Sequence, residues 1–153
     1  MNHSIYDLIE ENIASHGRHL MAVFGDETAM VHPFVYTIGN HTKGLPELLM
    51  IGSCDNAIGH ILNNLSEQMI SQGRAFSNGE IVHPFPGNEK VFGLKIIKAN
   101  PEVKEIYTVQ AGQALQTEDY AVLQVVAPGT NGKFPGEEGA DDSWGAVPLY
   151  PVQ

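Results

Sequence analysis

Apolar residues recur at helical spacing in the first half of the chain and predict two capped helices. The first begins at Ser4, which forms a capping-box pattern with Asp7, and ends at Gly17. The second has Asp55 as its N-cap and Gly73 as its C-terminal stop. Its apolar face consists of Ile58, Ile61, Leu62, Leu65, Met69 and Ile70.

Short runs rich in apolar and β-branched residues predict six strands. These runs are Leu20–Phe24, Val31–Ile38, Glu47–Gly52, Gly79–Phe85, Lys90–Ala99 and Tyr120–Ala127. Before the last run, Asn100 and Pro101 supply the N-cap and first-turn proline of a third helix. That helix is expected to bury Val103, Ile106, Tyr107 and Ala114. The mixture of hairpin-length and helical connections predicts an α+β fold, with a mixed, mostly antiparallel sheet or half-open barrel flanked by three helices.

The composition changes after residue 127, which divides the chain into a single domain, 1–127, and a tail, 128–153. The tail holds four prolines, five glycines and four acidic residues, with only Lys133 to offset them. Such a segment is either disordered or extended over the domain. Apolar anchors favour the docked alternative, and they are Phe134, Trp144, Val147, Leu149 and Tyr150.

Charge, cysteine content and the length of apolar runs limit the classes of protein to which the chain can belong. The 153 residues include 18 acidic and 8 basic side chains, which give a net charge of −10, and a single cysteine. We therefore expect a soluble cytoplasmic protein without disulfide bonds, and the acidic N-terminus does not resemble a signal peptide. No apolar run reaches the roughly 20 residues of a membrane span. The excess of acid also disfavours a nucleic-acid partner.

Several short motifs together resemble a bacterial and phage family catalogued as domain of unknown function 4262. They are Phe34-Val35-Tyr36-Thr37-Ile38-Gly39, Pro46-Glu47-Leu48-Leu49, Gly52, Ile61-Leu62-Asn63, Tyr107, Leu123-Gln124-Val125-Val126 and Gly132-Lys133-Phe134-Pro135. Two tail positions depart from the family pattern, because Gly136 stands where a Trp is usual and Gly129 where an Asp is common. The resemblance covers most of the chain and implies no particular activity.

Histidines and one carboxylate offer a possible catalytic set. His32, His41 and Glu47 are candidates for a hydrolase that activates water, with or without a bound metal ion. The spacing of His16 and His19 also suits a metal, although no zinc or calcium motif is present. The alternative is that these histidines serve only as surface and helix-capping residues. No cofactor other than such a metal is expected.

Polar residues inside otherwise apolar elements suggest a binding pocket. The candidates are Tyr36, Thr37, Glu47, Asn63 and Gln124, which offer an aromatic wall and several hydrogen-bonding groups to a small polar ligand. The alternative is that they hydrogen bond to one another or to the backbone inside the protein.

The function predicted from the sequence is therefore binding of a small polar molecule or a protein partner. Exposed sheet edges favour a homodimer. The two alternatives are the metal-assisted hydrolase and a phage or accessory protein that sequesters a ligand or blocks a partner.

Overall fold

Helices cover both faces of a six-stranded mixed sheet. The computed structural model describes residues 4–25, 32–53, 55–87, 93–129, 131–135, 137–140 and 148–151. The helices are α1 (Ile5–His16), α2 (Asn56–Gln72), α3 (Val103–Ile106) and α4 (Val109–Leu115), and a 3₁₀ turn covers Asn40–Lys43. The strands are β1 (His19–Val23), β2 (Phe34–Ile38), β3 (Glu47–Ile51), β4 (Ile81–Val82), β5 (Leu94–Lys98) and β6 (Val122–Val126). Within these residues, no helix is both long and apolar enough to cross a membrane.

The strand order is β1-β2-β3-β6-β5-β4, and only the central β3–β6 pair is parallel. Because β3 and β6 run in the same direction, their first residues, Glu47 and Val122, pair at the same end of this central strand pair. The sheet is open, with β1 and β4 at its ends. The predicted α+β fold with a mixed sheet is thereby confirmed.

Local capping chemistry fixes the ends of the two main helices. The Ser4 hydroxyl accepts a hydrogen bond from the Asp7 amide, and the Asp7 carboxylate accepts one from the Ser4 amide, each at 3.2 Å. Gly17 ends α1 with a φ of 89°. Asp55 caps α2 by accepting from the Ile58 amide, and Gly73 ends it with a φ of 67°. Both helices therefore begin and end where the sequence predicts.

Alternation along the strands produces two apolar cores. The first lies between the sheet and α2, and it includes Val35, Leu48, Met50, Leu62, Leu65, Ile96 and Val125. The second lies between the opposite face and helices α1, α3 and α4, and it includes Ile9, Phe34, Tyr36, Leu49, Val103, Tyr107 and Val122. Adjacent strand residues point to opposite faces of the sheet. Because helices cover both faces, both sets of residues are buried.

The predicted third helix is wrong in detail because it breaks at Thr108 into α3 and α4. The Thr108 carbonyl accepts a hydrogen bond from the Tyr120 hydroxyl at 3.0 Å, and the two hydroxyls lie 2.8 Å apart. A distant side chain therefore stabilises the break. Ile106, expected to be buried, is 51% exposed.

The predicted strand over 79–85 is reduced to the two residues of β4. Pro84 has no amide hydrogen to donate to a ladder, so pairing ends before it. Two side chains of α2 donate hydrogen bonds to backbone carbonyls of this segment in place of a strand partner. Gln68 donates to the His83 carbonyl at 2.7 Å, and Asn64 donates to the Pro84 carbonyl at 3.1 Å. Val31 and residues 90–92 of other predicted strands lie outside the described residues.

Gly39, directly before the 3₁₀ turn, packs closely against the C-terminal end of α1. Its φ is +132°, and an added Cβ would lie 2.8 Å from the Gly17 carbonyl oxygen and 2.9 Å from the Arg18 Cα. Backbone strain and these contacts are expected to make Gly39→Ala lower the free energy of unfolding by about 3 kcal/mol in urea denaturation. Gly44→Ala is the control, since its Cβ meets nothing within 4 Å and only its φ of +75° costs about 1 kcal/mol. Equal losses would contradict the packing argument.

Candidate functional site

The Glu47 carboxylate is fully buried at the start of β3 and fastens the 3₁₀ turn to the sheet. Its Oε1 accepts from the Thr37 hydroxyl at 2.8 Å and the Asn40 amide at 3.1 Å. Its Oε2 accepts from the Gly39 amide at 2.9 Å and the His41 amide at 3.0 Å. Successive amides at the beginning of the turn thus converge on one carboxylate.

Burial and hydrogen bonding act on this carboxyl in opposite directions. Burial raises the pKa of Glu47, and the bonds from Gly39, His41, Thr37 and Asn40 oppose that shift. A carboxylate has about four lone-pair positions, and these four bonds fill them. Glu47 in this arrangement has no oxygen lone pair left for a metal ion or a substrate proton.

A buried guanidinium joins the same turn to α2. Arg18, whose side chain is 5% exposed, donates from Nε to Asn40 Oδ1 at 3.2 Å and from Nη1 to Asn63 Oδ1 at 3.0 Å. Its Nη2 lies 2.6 Å from Glu67 Oε1, on a side chain that is 61% exposed. The sequence does not predict this role of Arg18, because an arginine just after a helix end is typical of a surface position.

Asn40 connects the two charged groups. Its Nδ2 donates to Ser66 Oγ at 2.9 Å and approaches Thr37 Oγ1 at 3.4 Å, while Thr37 bonds Glu47. We call this set the buried polar network, and it comprises Arg18, Thr37, Asn40, Glu47, Asn63 and Ser66. Among the residues that the structure describes, no buried side-chain nitrogen or oxygen lacks a partner. A fully satisfied network of this kind rigidifies the elements it joins.

The structure divides the predicted pocket between separate groups of residues. Thr37, Glu47 and Asn63 belong to the buried polar network. Tyr36 points to the opposite face of β2 and donates to Gln110 Oε1 at 2.7 Å. Gln124 bonds the backbone of the C-terminal segment, residues 148–151. The five residues are not brought together around one cavity.

An open cleft lies beside the buried polar network, where β3 and β6 begin. It has a volume of about 700 Å³, and we call it the strand-end cleft. Phe76 and Leu123 give it an apolar floor. Its polar lining comes from His41, Ser77, Asn78, Lys98 and Asp119.

The topology explains why these polar residues meet. β5 is antiparallel to β6, so its last residue, Lys98, lies beside the beginning of β6. The Lys98 amide donates to Asn78 Oδ1 at 2.7 Å, which fixes the connection after α2 against β5. His41 is placed at the same cleft because its own amide donates to the Glu47 carboxylate. Of these lining residues, only His41 is a candidate from the sequence, because the meeting of the others at one cleft depends on strand order.

The remaining histidine candidates lie apart from this cleft. His32 is half-buried before β2 and is not among the lining residues. His16 is exposed at the end of α1, whereas His19 is buried in β1. No cluster of three histidine, cysteine, aspartate or glutamate side chains within the described ranges is arranged to hold a metal ion. Cys54 lies outside those ranges.

The fold and these contacts define a small α+β domain in which a buried polar network fixes one wall of an open cleft. The family model of the domain of unknown function DUF4262 matches residues 12–141, so the chain belongs to this family. The resemblance seen in the sequence is confirmed. No curated protein and no solved structure matches the chain.

Glu47→Gln tests the buried carboxylate. Both Glu47 oxygens face backbone amides, so the side-chain amide of Gln must point one N–H group at another. We expect a loss of about 3 kcal/mol in the free energy of unfolding, measured by urea denaturation. The exposed Glu105→Gln serves as the control and is expected to change stability by less than about 0.5 kcal/mol. Similar effects of the two substitutions would show that the four bonds contribute little.

His19 makes stability depend on pH. Burial lowers the pKa of His19 below its ordinary value of 6.5, and its Nδ1 accepts from Asn12 Nδ2 at 2.8 Å, which requires a deprotonated Nδ1. The unfolded chain therefore binds a proton more readily than the folded chain. The resulting stability is complete above about pH 6.5 and is lost as the pH falls through the lowered pKa. Urea denaturation between about pH 8 and pH 5 should show a steeper decline for the wild type than for His19→Gln. Parallel curves would contradict this assignment.

Proposed function

We propose that the chain is a cytoplasmic binding domain that takes up a small polar molecule in the strand-end cleft. The observation that carries the proposal is a cleft of about 700 Å³ with an apolar floor and a few polar side chains at its walls. Small-molecule sites commonly have volumes of roughly 300–1,000 Å³ and this kind of lining. The single cysteine, which allows no disulfide bond within the chain, supports the cytoplasmic location.

The charges around the cleft indicate the class of ligand. Lys98 offers an ammonium donor and Asp119 a carboxylate acceptor, while His41 supplies a third polar side chain. A ligand that carries both a carboxylate and an amine satisfies the two charged groups together. We therefore favour a zwitterion of amino-acid size.

Binding without turnover fits the site better than hydrolysis does. The hydrolase alternative needs Glu47 to act with His32 and His41. All four lone-pair positions of the Glu47 carboxylate are already occupied, and His32 does not line the cleft. Glu47 in this arrangement therefore offers no free oxygen lone pair to a substrate proton or a metal ion, which a catalytic base or a metal ligand needs.

Native mass spectrometry followed by titration tests the proposal. The spectrum of the purified protein reports any retained small molecule, and the subunit count tests the predicted homodimer. The twenty standard amino acids are then titrated individually by calorimetry. Lys98→Gln and Asp119→Asn are each expected to weaken binding by about tenfold or more, because each leaves one ligand charge unpaired.

Lys95→Gln is the matched control, since Lys95 lies on the same strand and does not line the cleft. It should bind the amino acid as the wild type does. All three variants are expected to remain folded, because the side chains they change are not part of either core. Absence of any retained mass together with absence of binding across the whole series would overturn the proposal, as would equal effects of Lys98→Gln and Lys95→Gln.

A further inference from the structure

The C-terminal segment, residues 148–151, lies against the domain in the manner of a bound peptide. It is held through its main chain by Gln124 on β6 and by Asn100, which follows β5. Its one aromatic side chain, Tyr150, packs against Tyr107. These three contacts come from different elements and together describe a binding site.

Gln124 is the central contact. Its side chain is fully buried on β6, and the residues on either side of it on the same face are Val122 and Val126. Its Nε2 donates to the Pro148 carbonyl at 2.8 Å, and its Oε1 accepts from the Tyr150 amide at 3.1 Å. One amide group thus recognises two peptide units in an extended chain, and it would be costly to bury without such a partner.

Asn100 and its neighbour extend the main-chain recognition. The Asn100 amide donates to the Tyr150 carbonyl at 2.8 Å, and Asn100 Nδ2 donates to the Pro151 carbonyl at 3.3 Å. Ala99 and Pro151 form an antiparallel bridge. The segment is therefore paired by a single bridge with the residue that follows β5, a short form of the main-chain pairing by which sheets bind extended peptides.

Tyr150 supplies the side-chain anchor. Its ring lies edge-on to Tyr107, with 5.4 Å between centroids, and the two hydroxyls are 3.1 Å apart. Tyr107 in turn packs edge-on against Phe34. An aromatic pair and a hydroxyl contact of this kind favour tyrosine over aliphatic residues at this position.

The two prolines suit the positions they occupy. The site uses the carbonyls of Pro148 and Pro151, which proline retains, and the amide of Tyr150, which is not a proline. Prolines also restrict the free peptide to extended conformations, so less conformational entropy is lost on binding.

We propose that Gln124, Asn100 and Tyr107 form a recognition site for extended peptides in which a tyrosine lies between flanking prolines. Residues 148–151 are its resident occupant. A peptide of the same chemistry supplied by another molecule competes with that occupant for the site. Because the resident segment is tethered, its effective concentration is on the order of millimolar, so the wild-type chain binds a free peptide only weakly.

The test uses full-length chains and a fluorescently labelled peptide with the sequence of residues 146–153, followed by anisotropy. Tyr150→Ala removes the resident anchor while leaving the receiving residues intact. This variant is expected to bind the peptide at least about tenfold more tightly than the wild type does. A peptide with alanine in place of the tyrosine should bind at least about tenfold more weakly to the same variant.

The double variant Tyr150→Ala with Gln124→Leu identifies the site. Leu preserves apolar packing but offers no amide, so this variant should lose the gain in peptide binding. A folded Tyr150→Ala variant that fails to bind the peptide, or that binds equally well with Leu at position 124, would overturn the proposal. Circular dichroism establishes folding. If Tyr150→Ala does not fold, Tyr150→Phe decides the matter, since it removes only the hydroxyl contact with Tyr107 and must still bind the peptide more tightly than the wild type.

Discussion

The four hydrogen bonds to the Glu47 carboxylate are the interaction on which the rest of the structure depends. A buried charge is costly unless hydrogen bonds replace its lost water, and here three of the four come from consecutive backbone amides. The carboxylate therefore dictates the path of the chain between β2 and β3. Arg18 reaches the same turn through Asn40, so a buried positive group and a buried negative group are linked by neutral side chains.

Two polar side chains of the central strands perform the same physical task at different places. Glu47 on β3 binds the backbone of the 3₁₀ turn, and Gln124 on β6 binds the backbone of the C-terminal segment. The paired strands thus hold two irregular segments whose own polar groups cannot join the sheet. The turn contributes His41 to the strand-end cleft, so the cleft geometry depends on the buried carboxylate. The peptide site depends instead on Gln124, and the two proposed sites are separable.

Local chemistry made part of the fold predictable from the sequence. Ser4, Gly17, Asp55 and Gly73 act within a few residues of the helix ends that they define, and each is where the pattern predicts. The break at Thr108 was not predictable in this way, because its partner Tyr120 lies twelve residues later. Strand order was equally hidden, and with it the meeting of Lys98, Asn78 and Asp119 at one cleft. Periodicity reports which face is buried but not which strand lies beside it.

The polar residues chosen from the sequence share a physical requirement that does not identify their partners. A buried amide or carboxylate needs hydrogen bonds, and either a ligand or the chain itself can provide them. For Asn63 the partner is Arg18, 45 residues away, and for Gln124 it is a segment 24 to 26 residues away. Such distances leave no trace in local sequence. The groups that Gln124 bonds are a backbone carbonyl and a backbone amide. A peptide from another molecule carries the same two groups. The hydrogen bonds by which Gln124 holds the C-terminal segment are therefore the same bonds by which it would bind a separate peptide.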